Sequence, residues 1–150
     1  MDRGTAGLLM ESLNRDAQRI ARRFGLRYKS VDAERANVKS RYGVCYSDGS
    51  IKIRLRHATT ARPLKYSSLV STLCHELAHL RHFNHGLRFR AFYQQLLEYA
   101  RAEGIYRPGR ERRAELAQAK LTMSGAHGSG ATTVRRTRKP SGLTQLTLFS

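Results

Sequence analysis

Residues 74–85 have the sequence Cys-His-Glu-Leu-Ala-His-Leu-Arg-His-Phe-Asn-His. His75 and His79 are four residues apart, so on an α-helix their imidazoles lie on one face, within reach of a single ion. In the pattern HExxH the two imidazoles hold Zn²⁺, and the intervening glutamate, here Glu76, activates a water molecule. The pattern predicts a metal-dependent hydrolytic site. The alternative is a helix with solvated histidines and an ordinary surface glutamate.

A third metal ligand is needed, because catalytic zinc takes three protein ligands and keeps one position open. His82 is on the same helical face, but seven residues separate it from His75, about 10 Å along the helix axis. Three rings so spaced do not close around one ion. His85 lies between Asn84 and Gly86, where the chain can turn back over the helix. We therefore expect one Zn²⁺ per chain with His85 as the third ligand, and His82 as a partly exposed histidine outside the ligand set.

Hydrophobic periodicity predicts helices on both sides of this motif. The motif helix carries a leucine stripe at every third or fourth position; we expect it to be capped by Ser67 or Ser68 and to end near residues 84–86. A first helix is predicted over residues 6–24. A third helix is predicted to end at Gly104, and residues 111–121 indicate a weak fourth.

The strand signals lie between the first two helices. Residues 42–46 and 51–56 flank an Asp-Gly turn and predict a hairpin, and residues 26–31 suggest one more short strand. Basic residues alternate with apolar ones in the second arm, so Lys52, Arg54 and Arg56 should face solvent or a ligand. The chain is therefore predicted to be α+β, with a short antiparallel sheet packed on the HExxH helix. The arm 51–55 either offers an edge to an extended peptide or is simply a core strand.

Composition limits the class of protein. The 150 residues suit one domain, and the net charge of +17 points to a polyanionic partner, with nucleic acid first and an anionic membrane surface second. No apolar stretch is long enough to span a bilayer, and the apolar run within residues 1–10 is too short for a signal peptide. The two cysteines fit a reducing cytoplasm. We expect a cytoplasmic protein without a membrane partner, and association with the nucleoid would follow from DNA binding.

Residues 75–89 resemble the zinc motif of the YgjP/SprT-like metallopeptidases, small gluzincin-type domains related to the WLM proteases. Residues 41–45, Arg-Tyr-Gly-Val-Cys, resemble the Arg-Trp-Gly-Ser-Cys strand of the same family, with Tyr for Trp and Val for Ser. The resemblance implies a zinc metallopeptidase domain over residues 1–106. It also implies roles for four residues, with Glu76 as the catalytic base and the zinc ligands His75, His79 and His85.

Glu76 separates the peptidase interpretation from two alternatives. YbeY-type endoribonucleases share the histidine spacing but lack a glutamate directly after the first histidine. A non-enzymatic nucleic-acid-binding module with structural zinc has no use for a base beside an open coordination position. In a peptidase, Glu76 takes a proton from water and passes it to the leaving amine. Tyr42, Tyr46 and His82 remain open as oxyanion stabilisers.

Residues 107–150 form a basic tail with nine basic and two acidic residues. Its Gly-, Ser- and Thr-rich stretch over residues 124–142 predicts a largely disordered linker. The simplest partner is a DNA backbone, bound without sequence preference and weakened by salt. We assign that contact to the cluster of Arg135, Arg136, Arg138 and Lys139.

The end of the tail is apolar and uncharged. Residues 145–149, Gln-Leu-Thr-Leu-Phe, resemble the bacterial sliding-clamp-binding pentapeptide, which would make Gln145, Leu146, Leu148 and Phe149 the clamp-binding residues. A C-terminal strand that folds back on its own sheet is an equally open interpretation. Eukaryotic SprT-like proteases that repair DNA–protein crosslinks resemble this layout, in which basic and clamp-binding segments follow a zinc domain. The sequence thus predicts a peptidase that acts on DNA-associated proteins.

Overall fold

The computed structural model describes residues 3–109, which contain three helices and three short strands. The α+β class is confirmed within this range. The predicted helix over 111–121, the linker and the clamp-like peptide lie outside the described residues. No helix within 3–109 is long and apolar enough to cross a lipid bilayer. In chain order the elements are α1 Arg3–Phe24, β1 Ser30–Ala33, β2 Gly43–Cys45, β3 Ser50–Ile53, α2 Tyr66–His79 and α3 Leu87–Ala102.

The sheet has the order β1-β3-β2, with β3 in the centre. β2 and β3 form the predicted antiparallel hairpin, but β1 runs parallel to β3, so the expected all-antiparallel sheet is wrong and the sheet is mixed. The reason is the chain path: β1 enters at one edge, the chain continues to the far edge for β2, and the hairpin returns β3 to the middle. Of the two interpretations of residues 51–55, the core strand is confirmed for Ser50–Ile53 and the peptide-binding edge is wrong, because β3 is paired on both sides.

Arg54 corrects the predicted alternation in the second hairpin arm. Its side chain is buried, with 7% of the residue exposed, whereas we expected it to face outward. Its Nη1 donates to the backbone carbonyls of Lys39 (3.0 Å) and Arg41 (3.1 Å), and its guanidinium lies 4.3 Å from the ring centroid of Tyr42. β3 ends at Ile53, so the alternation of side chains between the two faces of a strand does not extend to Arg54. The other two basic residues of the arm, Lys52 and Arg56, are half-buried.

Helix α2 lies at the centre of the packing, in contact with α1, α3, β2 and β3. The predicted leucine stripe is confirmed over the helix, where Leu69, Leu73 and Leu77 are fully buried. Burial of each such side chain contributes roughly 1.5–3 kcal/mol. The predicted serine cap is wrong: α2 begins at Tyr66, and its N-cap is the extended residue Lys65 with no side-chain cap hydrogen bond.

Two polar contacts join α1 to the α2 region. The hydroxyl of Tyr66 donates to Oδ2 of the buried Asp16 at 2.6 Å, which anchors the first turn of α2 on the middle of α1. At the other end of α2, Arg81 Nη2 donates to the carbonyl of Phe24 at 2.7 Å. Gly25 ends α1 in the left-handed region (φ 67°), as the sequence predicts.

Candidate metal centre

Three histidines converge at the end of α2. His75 and His79 project from the helix, one turn apart, and His85 comes from the connection between α2 and α3. One ring nitrogen of each lies within 4.8 Å of the other two, and Nε2 of His79 is 3.0 Å from Nε2 of His85. The structure therefore brings together the three residues that the sequence proposes as ligands.

The early end of α2 allows His85 to reach the cluster. We expected the helix to continue to about residue 84, but it ends at His79, with Leu80 as C-cap. The chain then turns, and α3 begins at Leu87 with the extended Gly86 as N-cap. His85 therefore lies in a short connection that folds back over the helix. It is exposed, whereas the two helical histidines are buried.

His82 contributes through its backbone, while its ring lies outside the cluster. Its carbonyl oxygen is 3.0 Å from Nδ1 of His79, so a proton on Nδ1 is donated to that carbonyl and Nε2 is left with its lone pair toward the cluster. The imidazole of His82 instead lies 5.8 Å from the ring of Phe92. Sequence reasoning missed this carbonyl, because every residue type carries one and no pattern marks it.

The electrostatics keep all three imidazoles neutral near pH 7. Burial lowers the pKa of His75 to about 4. Burial is also the largest cause that lowers the pKa values of His79 and His85. Neutral imidazole is the form that binds a metal ion. Three neutral nitrogen donors around one point fit a divalent transition metal such as zinc.

Glu76 is almost completely enclosed, with 1% of the residue exposed. Its Oε1 lies 3.2 Å from Nδ1 of His75, on the side of α2 that faces β2. Gly43 makes this approach possible: a Cβ at that position would lie 3.2 Å from Oε1 of Glu76 and 2.6 Å from Cγ2 of Thr72. The motif-like stretch 41–45 thus touches the candidate catalytic residue through its glycine.

Burial raises the pKa of Glu76 to about 8, while the nearby His79 and Arg41 act in the opposite direction. The Arg41 guanidinium is held in place by its neighbours. Its Nη2 donates to Oε2 of Glu34 at 2.7 Å and to the hydroxyl of Tyr46 at 3.3 Å. Arg41 is a basic residue of the site region that sequence reasoning named only as part of the family-like strand.

The three proposed oxyanion stabilisers lie in different places. Tyr42 is covered by the Arg54 guanidinium, Tyr46 accepts the hydrogen bond from Arg41, and the His82 ring packs on α3. The two thiols are core residues, as the sequence predicts. Both are buried, and within residues 3–109 neither belongs to the metal-ligand group, which consists of the three histidines alone.

Two histidines and a buried glutamate on one helix, with a third histidine from the next connection, are the arrangement typical of HExxH metallopeptidases. The family model described as the WLM domain matches residues 5–145, and the chain belongs to the WLM family. This confirms the WLM-related part of the resemblance. The closer likeness to YgjP and SprT stays a prediction.

Two solved structures show the same fold. Wss1 from Saccharomyces cerevisiae, in a mutant form, has a TM-score of 0.63 at 16% identity, over 70% of this chain and 87% of that one. Wss1 from S. pombe has a TM-score of 0.56 at 25% identity, over 67% of this chain and 86% of that one. No curated protein is significantly similar to the chain in sequence.

Proposed function

We propose that the protein is a zinc-dependent metallopeptidase that hydrolyses peptide bonds with Glu76 as its catalytic base, and that it acts on DNA-associated proteins. One observation carries the proposal: a buried carboxylate adjoins three convergent neutral imidazoles without being needed as a ligand. A purely structural zinc site has no use for such a group. Membership of the WLM family supports the same class of reaction.

Each site residue has one task in this mechanism. His75, His79 and His85 would hold the ion, and the His82 carbonyl orients His79. Zn²⁺, when bound, supplies Lewis acidity that polarises a peptide carbonyl, lowers the pKa of water and favours the ionised form of a nearby carboxylate. The ionised Glu76 accepts a proton from the attacking water and returns it to the leaving amine. Its enclosure keeps bulk water from competing for that proton.

We place the proposed peptide substrate along the outer edge of β2. The N–H of Tyr46 donates to the carbonyl of Ser50, and the carbonyl of Tyr42 accepts from the N–H of Arg54, both at 2.8 Å. Because antiparallel pairing alternates, the N–H and C=O groups of Gly43 and Cys45 between them point away from β3. All three residues of β2 are buried, so an extended polypeptide can pair with this edge only once the edge is uncovered; its main chain would then lie beside Glu76, which Gly43 touches.

The choice of DNA-associated substrates rests on charge and layout. The net charge of +17 favours a phosphate backbone as partner. The chain also resembles crosslink-repair proteases in its layout, in which a basic segment follows the zinc domain. Arg135, Arg136, Arg138 and Lys139 are the proposed contacts, and residues 145–149 a proposed clamp peptide. We place the protein in the cytoplasm, associated with the nucleoid.

The test compares wild type with Glu76→Gln on three substrates. Zinc-loaded protein is incubated with an unfolded protein, with a basic DNA-binding protein in the presence and absence of DNA, and with an RNA oligonucleotide. We expect cleavage of protein by wild type and retention of zinc by Glu76→Gln, with hydrolysis lowered by several orders of magnitude.

Metal removal is the control, and three outcomes would contradict the proposal. Removal of the metal by a chelator should abolish cleavage, and zinc should restore it. Undiminished turnover by Glu76→Gln would exclude the base assignment. Cleavage of the RNA with no cleavage of either protein would favour the YbeY-like alternative, and zinc binding without any hydrolysis would favour the structural-zinc module.

A further inference from the structure

We propose that Phe89 is a positioning residue that holds the three histidines in the arrangement that binds one metal ion. This proposal rests on the proposed function only because it takes these three histidines as the metal ligands. The ring centroid of Phe89 lies 4.9 Å from that of His75, 4.5 Å from His79 and 4.9 Å from His85. One buried side chain, 3% exposed, thus touches every candidate ligand.

The need for such a contact is greatest at His85. The two helical histidines are fixed by the backbone of α2, but His85 lies on the exposed connection and has no helix of its own. Its ring meets the Phe89 ring at 89°, the edge-to-face geometry that aromatic pairs favour. Phe89 lies in the first turn of α3, so the helix that follows the connection supplies the surface on which His85 rests.

The position of Phe89 along α2 is fixed by its neighbour Tyr93. Tyr93, one turn later on α3, stacks on Phe89 with centroids 6.0 Å apart, and its ring lies 5.4 Å from that of His75. The hydroxyls of Tyr93 and Ser71 are 2.7 Å apart. Because Ser71 is one helical turn before His75, this hydrogen bond sets where the aromatic pair meets the ligand face. Ligand orientation by such outer contacts governs metal affinity.

Phe92 offers a matched control on the same helix. It is as buried as Phe89, at 5% exposed. Its ring packs instead against Phe24 and the His82 ring, each at 5.8 Å, and the Arg81 guanidinium, at 4.5 Å, and none of these is a proposed ligand. A change from phenylalanine to leucine at either position removes a ring from the α3 core, but only the change at Phe89 removes the ring that touches the ligands.

The experiment measures zinc affinity and folding separately in Phe89→Leu and Phe92→Leu. Competition with a chromophoric chelator gives the dissociation constant, and Co²⁺ substitution gives the ligand-field spectrum of the site. We expect Phe89→Leu to weaken zinc binding by about 10–100-fold and to change the Co²⁺ spectrum. Phe92→Leu should lower the melting temperature by about as much as Phe89→Leu does. Its zinc affinity should stay within about twofold of wild type, a much smaller change than the loss expected for Phe89→Leu. Equal weakening by both variants, or none by Phe89→Leu, would overturn the proposal.

A metal-free readout separates this proposal from the proposed function. In the apoprotein the Phe89 ring current should displace the imidazole proton signals of His85 in NMR spectra. Phe89→Leu should shift them toward the position of a solvated histidine, while Phe92→Leu leaves them in place. Unmoved signals in Phe89→Leu would show that the ring does not position His85. Zinc binding without hydrolysis would contradict the proposed function and leave the Phe89 assignment standing.

Discussion

At the scale of single residues, the ligand set makes the first prediction. His75→Ala and His79→Ala should abolish metal binding, and His85→Ala should weaken it strongly, because each removes one of three convergent nitrogens. His82→Ala should retain the metal, since alanine keeps the carbonyl that orients His79. Metal content after dialysis measures all four. Loss of metal in His82→Ala with retention in His85→Ala would show that the ligand assignment is wrong.

Gly43 makes the second prediction at this scale. In Gly43→Ala the new methyl group would lie 2.6 Å from Cγ2 of Thr72 and 3.2 Å from Cγ of Glu76, so β2 or the glutamate must move. Overpacking of this kind costs about 1–3 kcal/mol. We expect peptidase activity to fall by at least about tenfold, because a Glu76 carboxyl group displaced by the new methyl group is no longer placed for proton transfer.

Gly86→Ala is the control for that variant. Gly86 also adjoins the site in sequence, but a Cβ there meets nothing within 4 Å. Its unfolding free energy in urea and its activity should stay near wild type. If both glycine variants behave alike, the close approach of β2 to α2 does not govern the position of Glu76.

Much of the site could be predicted from local spacing, and the rest depends on distant partners. The i, i+4 relation places His75 and His79 on one face in any α-helix, and turn-forming neighbours indicate that His85 can fold back. The contacts of Phe89 had no such signal. Its position in an apolar stripe predicts burial, but not that the buried face consists of histidine rings.

At the scale of elements, the helices were predictable and the sheet was only partly so. A period of 3.6 is visible within each helical segment, and glycines with positive φ end α1 and follow α3 as expected. The pairing of β1 with β3 joins residues twenty positions apart, such as Ser30 with Ser50. Nothing within a four-residue strand specifies a parallel partner at that distance.

The prediction for single elements concerns Arg54, because its side chain fixes the segment 39–42 before β2. Its hydrogen bonds to two carbonyls of that segment and its stacking on Tyr42 need a planar, multiply donating cation. Arg54→Lys keeps the charge but loses that shape, and we expect a loss of about 2 kcal/mol in unfolding free energy. Arg56→Lys, at a half-buried neighbouring position, is the control and should change stability by less than about 0.5 kcal/mol. Equal effects of the two would remove Arg54 as an anchor.

At the scale of the whole molecule, the candidate site is assembled from three parts of the chain: α2, the connection between α2 and α3, and β2. α2 supplies two of the proposed ligands and the proposed base, the connection to α3 supplies the third proposed ligand, and Gly43 of β2 adjoins Glu76. α3 then covers the histidines through Phe89. In the proposed function, Gly43 adjoins the base and Phe89 adjoins the ligands, so the variant at Gly43 should lower hydrolysis and retain the metal, whereas the variant at Phe89 should weaken metal binding.

The last prediction concerns recruitment and rests on the contrast between a basic tail and its apolar end. If residues 145–149 are a clamp peptide, a synthetic 140–150 segment should bind the bacterial sliding clamp by itself. Only micromolar affinity is expected, because a short segment buries little area and loses entropy when it becomes ordered. The double variant Leu148→Ala with Phe149→Ala should abolish binding. Zinc content, peptidase activity and melting temperature should stay unchanged, because the three proposed ligands and Glu76 are not altered and a disordered tail would contribute nothing to the core.

DNA affinity of the same double variant serves as the internal control. It should persist and fall steeply with salt, because Arg135, Arg136, Arg138 and Lys139 are unchanged. Replacing those four residues by alanine should have the opposite pattern: clamp binding is kept, and the slope of log affinity against log salt becomes shallower by about 0.9 for each phosphate that is no longer neutralised. If Leu148→Ala with Phe149→Ala instead lowers the melting temperature by several degrees, the segment packs on the domain as a strand. Clamp recruitment would then have to be abandoned, whereas the peptidase proposal, which depends on Glu76 and three histidines of the folded part, would be unaffected.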